Sequence, residues 1–502
     1  MHERSLSMSA ELHDPMVKEP SFSAWQKALF WFLLVVFVLA FPFALINREI
    51  YIDEAWIGEQ TKVLLEHGTI VTNLFRDYAP LNQQIVIYHK LLVWLGAASL
   101  SLFGWGLYPL RLVSALAGLI TLAVFYFHWR KTESQRLVAI GVMLLLWTPV
   151  YWEMMRVYRP EMLVTCLGLG SYVVLHQARA REKMWLIVVA GLLSGLSGSA
   201  HPAGMAFAAA GFVALLFEHR NRYAVIFLIA AMVGFFPYVS AFVTNNDLAM
   251  RQIFHNDWLT PLVRFHWWSP ITNLLEEHKR IFRQPMVIGI SVMFFLSLLL
   301  SRRDDFRRHK FFWLYLATLF VFGAMAPYPK YSRYMLPLVP FLVISCARAV
   351  DRLIIERQHI SRTLRTVFSA WVVVFIVYGG IALGQAALID RQAPKEISTH
   401  RTFAAQMVKG SLVMAPPRFI FPEIDSFTVQ AYWGAHLAAG DNRTYRTLED
   451  YAAKMGARYL FIDSEAIRDW HLDMSDDGRK FERYHLLITF PERTSYLLVK
   501  NE

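Results

Sequence analysis

Cysteine is nearly absent from this chain. The two that occur, Cys166 and Cys346, lie far apart inside apolar blocks, which excludes a disulfide framework or a zinc site and marks both as packing residues. No glycine-rich loop of the kind that cradles nucleotide phosphates is present, and no HExxH or EF-hand spacing announces a metal. No Ala-x-Ala pattern precedes the first apolar block, so the polar segment 1–28 reads as a retained cytoplasmic tail in front of an anchor. Solenoid-type repeats are missing, and beyond residue 388 no apolar block is long enough to span a bilayer.

What the chain does have is apolar residues gathered in blocks. They make up 56% of the 502 residues, with 15% aromatic and a mean hydropathy of +0.35. A hydrocarbon core of about 30 Å takes roughly 20 helical residues. Blocks of that kind are placed near residues 29–46, 108–127, 137–151, 162–178, 185–200, 203–217, 224–243, 286–300, 311–326, 335–350 and 366–388. The net charge of +11 sits mainly in short loops between them, which is the mark of membrane topology and argues against nucleic acid.

The stretch 81–103 decides sidedness. If it does not cross, the later cytoplasmic loops hold 18 Lys and Arg against nine outside, as the positive-inside rule prefers. It is therefore read as a re-entrant or interfacial helix, which Lys90 in its interior also suits. The expected fold is an all-α polytopic membrane domain over 29–389, with eleven spans, re-entrant or interfacial helices and outer loops 47–107 and 244–285. A small soluble α/β domain over 390–502 lies outside. Within it, 447–455 has a helical pattern, and 456–463 has a turn, a strand and an acidic end.

Three clusters can carry chemistry. Tyr51-Ile-Asp53-Glu54-Ala-Trp56 follows the first span; adjacent carboxylates there suit proton abstraction or a divalent cation, and equally suit an ordinary helix start. Arg156-Val-Tyr-Arg159-Pro-Glu161 ends the third span. It has the makings of a phosphate and acceptor site, and also of a snorkelling interfacial cluster. Tyr328-Pro-Lys330-Tyr331-Ser-Arg333-Tyr334 puts positive charge against the prevailing bias, where Lys330 and Arg333 can hold a lipid phosphate and Tyr331 and Tyr334 anchor at headgroup level. His201 sits in a short connection after the fifth span, and His255, Asp257, His266 and His278 mingle with tryptophans in the loop 244–285 without metal spacing.

Under a topology chosen from loop charges alone, the three clusters share the outer face. Together with Tyr108-Pro-Leu-Arg111, the arrangement resembles the GT-C superfamily of membrane glycosyltransferases, in particular its bacterial branch of aminoarabinose transferases and protein O-mannosyltransferase relatives. The resemblance implies a bacterial inner-membrane enzyme that moves a sugar from a polyprenyl-phosphate donor, with inversion, to a glycolipid, polysaccharide or protein acceptor. Asp53 would be the base with Glu54 beside it, and Glu161 would stand where the family usually has aspartate. In place of a lysine-proline pair that contacts lipid phosphate in relatives, this chain has Tyr78-Ala79-Pro80, so the phosphate would fall to other groups such as Arg76, Lys330 or Arg333, within a substrate- or lipid-phosphate-binding set of Arg76, Tyr78, Arg156, Arg159, His201, Lys330, Tyr331, Arg333 and Tyr334. Some relatives use a divalent cation, for which Asp53 and Glu161 are the candidates here. A transporter or flippase of an anionic lipid is the competing reading; it predicts related halves and mid-membrane charges, neither of which is evident.

Overall fold

The computed structural model describes residues 23–76, 81–86, 89–254, 266–326, 330–355, 360–389, 392–433, 447–472, 474, 481–489 and 495–501. The chain opens with α1 (Ala24–Asn47) and α2 (Ile52–His67), followed by α3 (Lys90–Phe103) and α4 (Leu107–Trp129). Next come α5 (Gln135–Leu146) and α6 (Pro149–Met155), then α7 (Pro160–Arg181), α8 (Met184–Ala200), α9 (Met205–Phe217) and α10 (Asn221–Thr244). Further helices include Pro285–Leu300, Lys310–Met325, Val339–Ile355 and Arg362–Leu388, and a 3-10 segment spans Ser332–Leu338.

Among the described residues, four helices are long and apolar enough to cross a membrane, or up to six if each bent pair counts as one span. The expected count of eleven spans is therefore not reached by helices of spanning length and composition. α5 and α6 meet at 65° where Pro149 stops the ladder, and a second pair bends by 102° at Pro285. The apolar helices α3, α8, Pro202–Phe217 and Lys310–Met325 are shorter. Within 81–103 only α3 is helical. Its 14 residues rise about 21 Å, short of a hydrocarbon core. Lys90 opens that helix rather than lying in its middle, and its Nζ donates to the Pro237 carbonyl at 3.4 Å.

Small residues let the bundle close. α8 and α10 pack backbone to backbone: a Cβ on Gly191 or Gly195 would meet the carbonyls of Phe227 and Ala231, and one on Gly234 the Leu192 carbonyl. That is the small-residue packing of helices in lipid, where close van der Waals contact replaces the hydrophobic drive.

Among the described residues, five short strands follow the last long helix: β1 (Leu412–Ala415), β2 (Thr428–Ala431), β3 (Tyr459–Ile462), β4 (Tyr484–Thr489) and β5 (Tyr496–Lys500). Their order is β2-β1-β3-β5-β4, with β1 parallel to β2 and β3 and the remaining pairs antiparallel. Because alternate side chains leave a strand on opposite faces, Val413, Tyr459, Phe461 and Leu497 join the apolar core continuous with the helices. Met414, Leu460, Ile462 and Leu498 form a second core with Tyr451 and Tyr484. The segment 447–463 follows its sequence pattern: a helix over Leu448–Met455, Gly456 left-handed at φ 74°, β3, and then Asp463 capping the next helix by accepting the Ala466 N–H at 2.9 Å.

The sheet lies against α2. Ala431 N–H donates to Leu74 O at 2.9 Å, Trp105 Nε1 to Phe421 O at 3.1 Å, and Lys62 pairs with Asp425 at 2.5 Å. The Arg418 guanidinium gathers Glu49, Glu396, Asp463 and Glu465 at 2.7–3.2 Å.

Candidate active site

The turn between α1 and α2 is stapled from behind by Arg111 of α4, which is fully buried. Its guanidinium donates to the carbonyls of Leu45, Arg48 and Glu49 and grips Glu54 through Nε at 2.8 Å and Nη2 at 2.7 Å. Glu54 also accepts from Tyr158 N and Tyr51 N, both at 2.9 Å. Burial pushes this carboxyl up, but Arg111 and the two backbone N–H groups overcome it and hold it below the usual carboxylate range. Every lone pair of Glu54 that the fold can reach is thus committed to positioning, and the group is sealed from any substrate.

Asp53, one residue earlier, points elsewhere, because neighbouring helical side chains diverge by about 100°. It pairs with Arg159. Arg159 ends the extended stretch before Pro160 and also holds Glu161, in the first turn of α7, at 2.8 Å. Arg333, from the 3-10 segment, approaches Glu161 at 3.5 Å, and its Nη1 donates to the Tyr51 hydroxyl at 3.2 Å. The Tyr51 ring lies 5.3 Å from the Arg159 guanidinium, and Tyr334 lies 5.4 Å from that of Arg333. His201 neighbours Tyr334 at 5.9 Å and stacks on His89 at 5.2 Å. Its Nδ1 accepts from Ala203 N at 3.1 Å, and burial, with His89 adjacent, pushes the imidazole down to about 3, so it is neutral.

Three segments far apart in sequence therefore meet: Asp53, Arg159 with Glu161, and Arg333 with Tyr334, joined by His201 and by Tyr51 and His89. Of the other candidates, Arg156 and Lys330 are committed elsewhere, while Tyr331 lies against Arg333 at the edge of the group. Arg156 is held by Glu153 at 2.5 Å and by the Ala44 carbonyl, and Lys330 is tied to the buried Glu277 at 3.1 Å and to the Ala324 carbonyl. Tyr331 is half exposed beneath Arg333 at 4.4 Å. Arg76 donates from Nε to Asn73 O, and its Nη2 has no partner among the described residues. Tyr78 lies outside the described residues, as do Tyr328, His255 and Asp257. Sequence reasoning missed the work of Arg111. The signal available to it was a single arginine inside an otherwise apolar block, which at that cost needs a buried partner.

Among the described residues no three His, Cys, Asp or Glu side chains group as metal ligands. The two carboxylates that a divalent cation would bridge, Asp53 and Glu161, are bridged by the Arg159 guanidinium. This donor set does not fit a cation.

A model of the family described as dolichyl-phosphate-mannose-protein mannosyltransferase matches residues 91–243, from α3 through most of α10. No curated protein sequence matches the chain. Among solved structures, ArnT from Cupriavidus metallidurans bound to undecaprenyl phosphate superposes with a TM-score of 0.64 at 14% identity, over 95% of this chain and 98% of that one. The archaeal oligosaccharyltransferase AglB from Archaeoglobus fulgidus, in complex with an inhibitory peptide and a dolichol-phosphate, superposes with a TM-score of 0.55 at 13% identity, over 94% of this chain and 74% of that one. The chain thus shares the fold of these two structures over most of its length.

Proposed function

We propose that this chain transfers a sugar from a polyprenyl-phosphate carrier to an acceptor hydroxyl at the sheet-bearing end of the bundle. The observation that carries the reading is the convergence of Asp53, Arg159, Glu161 and Arg333, from three distant segments, in a fold whose solved examples include one bound to undecaprenyl phosphate. In this reading that end lies outside an inner membrane, with the N-terminus cytoplasmic, and the distribution of Lys and Arg among the loops supports it.

In this reading the acceptor oxygen attacks the anomeric carbon as the carbon–oxygen bond to the lipid phosphate breaks. The phosphate departs with the bonding pair, and configuration inverts. Asp53 takes the acceptor proton. Arg159 fixes the direction of that carboxylate, and Glu161 fixes Arg159 in turn. Arg333 forks onto the departing phosphate, since its Nε lies a long 3.5 Å from Glu161 and its Nη1 holds the neutral Tyr51 hydroxyl, an exchangeable partner. The neutral His201 and the Tyr51 and Tyr334 hydroxyls supply donors without adding charge.

The test is sugar release and transfer from a panel of radiolabelled polyprenyl-phosphate sugars by purified protein in detergent, comparing wild type with Asp53→Asn. Loss of about 10²–10⁴-fold in rate with the fold retained supports the base assignment. Release that survives the substitution removes Asp53 from the chemistry, and no release from any donor removes the transferase reading.

A further inference from the structure

α2 carries six buried polar residues: Asp53, Glu54, Glu59, Gln60, Thr61 and Lys62. Five are accounted for. Asp53 meets Arg159, and Glu54 meets Arg111. Glu59 accepts from Thr72 Oγ1 and from the backbone of Asn73 and Leu74. Thr61 bonds Ile57 O at 2.7 Å and the Tyr158 hydroxyl at 3.0 Å, and Lys62 pairs with Glu66 and Asp425. Gln60 is the exception. It is 1% exposed, and both its Nε2 and its Oε1 lack any hydrogen-bond partner among the described residues.

A buried amide left with neither donor nor acceptor satisfied is rare in folded proteins and costs stability unless something else pairs with it. Its place on the helix says what that is. Gln60 follows Asp53 by seven residues, so it leaves the helix within about 20° of the Asp53 direction and about 10 Å further along. That offset suits one sugar ring together with the hydrogen bonds at its two ends. Trp56, one turn before Gln60 and packed edge-on against Phe75 at 5.8 Å, borders the same stripe.

We propose that Gln60 is a specificity-determining residue that binds the donor monosaccharide, its amide donating to one ring hydroxyl and accepting from another on the side away from the anomeric carbon. The proposal rests on the transferase reading and deepens it. An amide is suited to neighbouring hydroxyls because each hydroxyl both donates and accepts. A sugar that presents this pair of hydroxyls satisfies both ends of Gln60, whereas one lacking them leaves the amide buried and unpaired, which is how a polar site rejects a near-identical substrate.

The experiment compares wild type with Gln60→Met, which keeps the unbranched shape and removes both polar atoms. It measures kcat/KM on the accepted polyprenyl-phosphate sugar and on its singly deoxygenated analogues, together with the thermal midpoint in detergent. The expected result is a roughly 10- to 100-fold fall in kcat/KM on the parent donor at an unchanged or higher midpoint. On an analogue missing either contacted hydroxyl, the gap between variant and wild type should shrink, because wild type has lost one of its two hydrogen bonds. Equal turnover of the parent donor by both proteins overturns the role of Gln60 and leaves the transferase reading intact. So does a fall that is equally large on every deoxygenated analogue. Wild type that consumes no donor overturns the transferase reading, and this inference with it.

Discussion

Glu54→Gln separates positioning from chemistry at the adjacent carboxylates. The substitution keeps the shape of the side chain, but one carboxylate oxygen becomes an NH2 group facing two donors. If Oε1 is replaced, the amide opposes Arg111 Nε and Tyr158 N; if Oε2, it opposes Arg111 Nη2 and Tyr51 N. Arg111 is left fully buried with carbonyls but no counter-charge. Breaking a buried pair from one side costs about 3–5 kcal/mol, a large share of a typical folding free energy of about 5–15 kcal/mol. Denaturant or thermal unfolding in detergent, followed by circular dichroism, should show that loss. Glu54→Gln with Arg111→Met should recover part of it, because the orphaned charge is gone. The wild-type pair also has a pH signature. The folded carboxyl lies below its ordinary value, so the stability it contributes is present above that value and is lost as pH falls through the lower, folded one. A Glu54→Gln protein that unfolds like wild type yet has lost transfer would refute this and make Glu54 the catalytic carboxylate.

Two further predictions concern the attachment of the sheet and the loop after α2. Arg418→Ala leaves Glu49, Glu396, Asp463 and Glu465 facing one another, so the sheet should loosen, seen as faster proteolysis after residue 388 and a lower thermal midpoint. Burial already pushes Glu396 up to about 7, so the loss should be greater at pH 8 than at pH 5.5; a pH-independent loss would contradict it. Glu59, also raised to about 7 by burial, contributes stability that is full below its unfolded value near 4.5 and lost as pH rises through 7. The window is worth about 3 kcal/mol. Glu59→Gln should flatten the midpoint-versus-pH curve between pH 5 and 8, leaving the part due to Glu396, and an unchanged slope would count against it.

Much of the fold was legible because apolar length and loop charge are local properties. Blocks such as 29–46 and 366–388 correspond to α1 and Arg362–Leu388, and the helix, turn and strand of 447–463 follow their pattern. The bends at Pro149 and Pro285 were harder to place. Proline shows where a helix can break, but the packing around it decides whether the two pieces stay aligned.

For the candidate site, the sequence alone determined which residue types are available to form it: Asp53 with Glu54, Arg159 with Glu161, Arg333 with Tyr334. It could not rank Asp53 against Glu54, because adjacency in sequence is a 100° divergence in a helix, and only the neighbours on each side say what each one meets. Tertiary structure decided that Glu54 meets Arg111, that Asp53 meets Arg159, and that Lys330 is committed to Glu277 while Arg333 stays with the cluster. It also left Gln60 as the buried amide of α2 without a hydrogen-bond partner among the described residues. Composition along the chain sets which groups must be buried or wet. Which charge neutralises which is settled by distances between segments about 100 to 280 residues apart, and those exist only once the helices have packed.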